Sequence, residues 1–154
     1  MKRLKVLYIL IATILIVAVA VSASETKISI DERSTVSSFL AEIIVKEKLN
    51  CICLYYADKN KEHKTVLNNI SRAAHQTLSD SHQSVVFTDD KNTDATQVKL
   101  KYTDKPRSVI FSVAVDRKGK ESDYKYAIKI KRSKRGSEVI LLKASKVLNR
   151  KVLK

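Results

Sequence analysis

Glycine and proline are nearly missing from this chain, with two of the first and one of the second in 154 residues. That scarcity excludes the glycine cradles that hold nucleotide phosphates and the flexible linkers that join separate domains. Cysteine occurs twice, at Cys51 and Cys53, with no second pair to complete a zinc pattern, and His63, His75 and His82 have no ligand spacing. They read as solvated helix and loop histidines. No nucleophile elbow, P-loop, dinucleotide fingerprint or zincin helix is present. Asp89, Asp90 and Asp94 lack the alternating oxygen ligands and turn glycine of a calcium loop, so they read as a solvated acidic turn. The sequence offers no catalytic residue, no metal ligand set and no cofactor site.

What the chain does have is apolar residues (44%) sufficient for one core, and a net charge of +14. The charge is one-sided. Residues 24–97 carry 9 basic and 11 acidic side chains, whereas residues 98–154 carry 18 basic and 5 acidic. Such a field favours polyanions or anionic lipid surfaces.

The N-terminus opens with Lys2, Arg3 and Lys5, and no further charge follows until Glu25. Val6 to Val21 is apolar, and Val21 and Ala23 stand at the −3 and −1 positions of a cut before Ser24. This is the layout of a secretory signal peptide over residues 1–23. The uncharged stretch also approaches the roughly 20 residues that span a bilayer, so an uncleaved anchor is the alternative. Either way, the remainder is expected outside the cytosol.

Ser34 or Thr35 is placed to cap a helix with the stripe Val36, Phe39, Leu40, Ile43 and Ile44, ending near Asn50. Cys51 to Ala57 is a continuous apolar run, expected as a buried strand. An i,i+2 disulfide between Cys51 and Cys53 would be strained, so both are expected as small buried residues. A second helix follows over Val66, Leu67, Ile70, Ala74 and Leu78, then a short strand at Ser84–Thr88, which suggests a parallel βαβ unit. Beyond the acidic turn, Val98, Leu100 and Tyr102 alternate with lysines. Val109 to Val115 alternates too, and Tyr124, Tyr126, Ile128 and Ile130 share a face opposite Lys125, Lys129 and Lys131. The expected fold class is α+β: an α/β-like first half, then basic antiparallel strands. For the last 19 residues both a hairpin and an amphipathic helix from Ala144 onward fit the pattern.

Three surface features bear on function. Asn69-Ile70-Ser71 is an N-glycosylation acceptor. Arg132-Ser-Lys134-Arg135 resembles a furin-type processing site, and a cut after Arg135 would free residues 136–154 as a cationic amphipathic peptide. Lys129, Lys131, Arg132, Lys134 and Arg135, with Lys143, Lys146 and Arg150, form a basic cluster for an anionic partner. Nucleic acid is not expected, because secretion opposes it and the cluster lacks interleaved stacking aromatics.

Ser38-Phe-Leu-Ala-Glu-Ile-Ile, Leu49-Asn-Cys-Ile-Cys-Leu-Tyr-Tyr-Ala-Asp58, the Val66–Leu78 helix and Ser84–Thr88 resemble the start of an arthropod ionotropic receptor. The resemblance covers at most Ser34 to Val115 and implies an extracellular N-terminal domain. The chain lacks the family's bilobed ligand core, pore and later transmembrane helix, so channel activity does not follow; the implication is a fragment, truncated isoform or secreted remnant. Together these features give three expectations. The first is a secreted or tethered binding module for an anionic surface, polyanion or protein. The second is a precursor cut after Arg135, and the third a small single-pass membrane protein. The first divides as 1–23 signal, 24–135 globular domain and 136–154 basic tail.

Overall fold

Helix α1 starts at Ile30 because Ser29 and Glu32 form a reciprocal capping box: the Ser29 hydroxyl accepts from the Glu32 amide at 3.1 Å, and the Glu32 carboxylate accepts from the Ser29 amide at 3.0 Å. The computed structural model describes residues 28–49, 51–56, 60–80, 86–88, 96–117, 120 and 122–154, with only the backbone of 51–56 and 86–88. Ser34 and Thr35 therefore lie inside α1 (Ile30–Lys46) rather than at its cap. Thr35, one turn inside the helix, donates its hydroxyl to the Asp31 carbonyl and so caps no helix amide. The expected stripe Val36, Phe39, Leu40, Ile43 and Ile44 is buried throughout. Leu67, Ile70, Ala74 and Leu78 of α2 (Lys61–Asp80) are buried likewise. The two helices meet at Ser37, whose hydroxyl lies 2.8 Å from the Arg33 carbonyl and 3.1 Å from that of Ile70 across the interface.

Among the described residues, seven strands form a single sheet in the order β2-β1-β3-β4-β5-β6-β7. β1 (Cys51–Tyr56) lies parallel to both β2 (Val86–Thr88) and β3 (Gln97–Lys105), so the expected strand–helix–strand unit is parallel. From β3 onward the sheet is an antiparallel meander through β4 (Ser108–Asp116), β5 (Tyr126–Ser133), β6 (Gly136–Lys143) and β7 (Lys146–Leu153). The protein is thus α+β, with the α/β portion first. Tyr124 precedes β5 and is exposed, so it does not share the inner face of Tyr126, Ile128 and Ile130.

Both helices join the same core. Val98, Leu100 and Tyr102 of β3, Val109, Phe111 and Val113 of β4, Tyr126, Ile128 and Ile130 of β5, and Val139 and Leu141 of β6 pack with the helix stripes in one cluster. Strand side chains alternate between two faces, so every residue between these positions belongs to the opposite face. Among the described residues no helix packs there.

Residues 144–154 do not form a helix. Ala144 and Ser145 sit at φ 47° and 67° as the two-residue turn of a hairpin, and β7 pairs with β6 along its length. A helix would have left the β6 edge without hydrogen-bond partners, and pairing satisfies it. A bulge between Leu141 and Leu142 shifts the register, which blurs the two-residue alternation that otherwise marks a strand. Gly136 opens β6 at φ 131°, where a Cβ would run into the Leu153 carbonyl. The division at Arg135 accordingly falls inside a hairpin, and residues 136–154 supply two strands of the same sheet.

Candidate functional site

The side of the sheet opposite the helices carries Lys99, Lys101, Lys105, Lys129, Lys131 and Arg150. Directly paired positions share a face, so cross-strand rows can be read from the register. One row runs Lys105, Ser108, Lys131, Glu138 and Val152. The next runs Thr103, Ile110, Lys129, Ile140 and Arg150, and the third Lys101, Ser112, Ala127, Leu142 and Val147. Lys101, Lys105 and Lys131 are exposed and Lys129 is half-buried. Among the described residues none of these four is in an ion pair. The face's two acids are both engaged: Asp116 binds Lys99 at 2.6 Å, and Glu138 binds Arg150 at 3.1 Å. Strand spacing puts β3 and β5 roughly 9.5 Å apart, and Lys129 lies about 6.7 Å along β5 from Lys131. The four lysines therefore form one patch among serine and threonine hydroxyls.

The basic residues singled out in sequence do not form one cluster. Lys129, Lys131 and Arg150 lie on the face opposite the helices. Arg132, next to Lys131 in sequence, points the other way and binds Glu32 on α1 through Nε at 3.2 Å and a terminal nitrogen at 3.1 Å. Lys134 and Arg135 make the β5–β6 turn. Lys143 and Lys146 sit at the opposite end of the sheet, beside the α1 C-terminus. Lys101 and Lys105, which sequence reasoning left out, complete the patch because β3 is joined to β5 through β4.

At that opposite end, Glu47, just past α1, is held by three groups. The Tyr126 hydroxyl donates to it at 2.6 Å, Arg117 lies at 3.2 Å and Lys143 at 3.6 Å. Arg117 also donates to the Glu47 carbonyl at 2.8 Å, and the Lys143 ammonium stands 4.9 Å over the Tyr126 ring. A cleft of about 390 Å³ opens beside this group, with Lys120, Lys125 and Asp123 on its rim. The Tyr126 hydrogen bond does most to hold the Glu47 carboxyl below the ordinary carboxylate range, against the opposing effect of burial. Burial, and then the same contact, raise the Tyr126 phenol.

Glu32 and Asp116 are lowered for related reasons. Burial pushes each up, but hydrogen bonds from Arg132 and the Ser29 amide in one case, and from Lys99 and the Ser122 amide in the other, outweigh it. Tyr102 is pushed up to about 12 by burial and then by neighbouring Asp104. The three depressed carboxyls set an acid limit. Their stabilisation is complete above the ordinary values of 4.5 and 3.8 and is lost as pH falls through their lowered folded values. Urea midpoints are expected to be level from about pH 7 to about pH 5 and to fall steeply below about pH 4. Glu32→Gln should flatten that fall, and an unchanged acid limb would show that the Glu32–Arg132 pair does not contribute.

His63 is half-buried rather than solvated, edge-on to the Tyr102 ring at 4.7 Å between centroids. Among the described residues no three His, Cys, Asp or Glu side chains are grouped to hold a metal ion. Asn69 is half-buried on α2, and its sequon partner Ser71 is buried, donating to the Leu67 carbonyl at 2.7 Å. Residues 1–27, Asn50, His82, Asp89, Asp90, Asp94 and the side chains of Cys51 and Cys53 lie outside the described residues. No helix among the described residues is long and apolar enough to cross a membrane. Comparison with protein-family models, curated proteins and solved structures gives no match.

Proposed function

We propose that this protein is a non-catalytic binding module, working outside the cytosol, whose open sheet face engages a polyanion. The observation that carries this reading is the patch of Lys101, Lys105, Lys129 and Lys131, none of them in an ion pair among the described residues and with both acids of the face already neutralised. Clustered like charges are electrostatically costly to a folded protein, and a partner of opposite charge relieves that cost. The β3, β4 and β5 positions of the face include no aromatic residue, which favours an anionic polymer over the stacked bases of single-stranded nucleic acid. The leader-like N-terminus supports the extracellular placement. The receptor-like order of helix, strand, helix and strand adds a receptor-derived origin to the proposal.

Retention on immobilised heparin tests the reading. A variant with Lys101, Lys105, Lys129 and Lys131 all changed to Gln is expected to elute at markedly lower salt than the parent. Three of the four lysines are exposed, where substitutions usually change stability by about 0.5 kcal/mol or less each, and the half-buried Lys129 is in no ion pair among the described residues, so the fold should persist. Equal elution of the two proteins would remove the face from the account. Capture by anionic vesicles with no retention on heparin would redirect it to a lipid surface.

A further inference from the structure

The cleft beside Glu47 has a composition that holding the end of α1 does not explain. Tyr126, Arg117 and Lys143 already satisfy the Glu47 carboxylate. Lys120 and Lys125 nevertheless border the same cleft, both exposed and outside any ion pair among the described residues. Four cations thus face one concavity against two described acids, Glu47 and Asp123. Its lining also includes Val115 and the buried Tyr126. It is a half-open cleft of about 390 Å³, within the size range of sites that hold small molecules. Lys143 ends β6, Arg117 follows β4 directly, and Lys120 and Lys125 belong to the β4–β5 connection.

We propose that this cleft binds a small molecule carrying at least two oxyanionic groups, and that the Glu47 carboxylate holds the position one of those groups takes. Arg117 offers a planar fork and Lys143 a point charge, a combination suited to phosphate or carboxylate oxygens. The Tyr126 hydroxyl adds a neutral donor. One anionic group replaces the Glu47 carboxylate at these three donors, and the second reaches Lys120 and Lys125. The site is separate from the lysine patch on the open face.

The test uses the whole chain with pyrophosphate as one probe and citrate as the other, followed by amide chemical shifts. Saturable shifts confined to Ser122, Lys125, Tyr126 and Lys143 are expected with at least one probe. Shifts with one probe alone identify phosphate or carboxylate as the preferred group. No shifts with either, or shifts centred on Lys129 and Lys131 instead, would overturn the proposal. Glu47→Gln removes the competing carboxylate and should tighten binding about tenfold, while unchanged or weaker binding would count against the replacement. Because that change also loosens the end of α1, a second variant with Lys120 and Lys125 both changed to Gln provides an independent check. It touches no core residue and should weaken binding about tenfold; full affinity in it would overturn the site. The four-lysine face variant should bind both probes normally, so failure here and failure of the heparin reading are distinguishable.

Discussion

Cutting the chain after Arg135 is expected to unfold the domain, not to release a peptide from an intact one. The cut removes β6 and β7, and with them Val139 and Leu141, both 0% exposed in the core. Burying each such side chain is worth about 1.5–3 kcal/mol. Losing β6 also strips β5 of hydrogen-bond partners along its length. Against a total stability of roughly 5–15 kcal/mol, these losses leave little of the fold. Arg132, moreover, is engaged with Glu32, and its amide donates to the Arg107 carbonyl at 3.1 Å. A furin-type protease would therefore meet its motif partly tied into the structure. The expected result is slow cleavage of the native protein, followed by loss of circular-dichroism signal and rapid further digestion. Clean release of residues 136–154, with residues 28–135 still folded, would restore the precursor reading.

Phe111→Ala is expected to be the most damaging single substitution. Phe111 is 1% exposed at the centre of the sheet, paired with Tyr102 on β3 and Ile128 on β5. Its ring lies 5.2 Å from that of Tyr102, which in turn stacks edge-on with His63 of α2. Truncating a buried phenylalanine costs about 3–5 kcal/mol, and a sheet centre relaxes poorly around the cavity. For a domain of this size the melting temperature should fall by roughly 10–20 °C. Phe111→Leu should recover more than half of that. A loss below about 1 kcal/mol would mean the packing around Phe111 is much looser than described.

Much of this was legible in the residues. The α1 stripe and the alternation of Val98, Leu100 and Tyr102 against Lys99 and Lys101 are local periodicities, which burial enforces directly. The capping box was legible as well, since Ser29 stands three residues before Glu32, but the nearby Ser34 and Thr35 compete as caps on residue type alone. The separation of Lys131 from Arg132 follows from strand alternation, whereas counting charges along the chain merges them. Other features depend on pairings distant in sequence. Lys105 becomes a neighbour of Lys131 only through Ser108 of β4. Glu47 meets Arg117 70 residues on and Tyr126 79 residues on. No local pattern encodes such meetings. The C-terminal strand was ambiguous because the positions of Leu141, Ala144, Leu148 and Val152 suit a helix as well; the exposed edge of β6 decided the outcome.

The most direct test of the central claim is the affinity for heparin as a function of salt, for the parent and for the variant with Lys101, Lys105, Lys129 and Lys131 changed to Gln. A polyanion held by these charges binds the parent with an affinity that falls steeply as salt rises, and binds the variant weakly with a much shallower dependence. Identical affinity and identical salt dependence in the two proteins would contradict it.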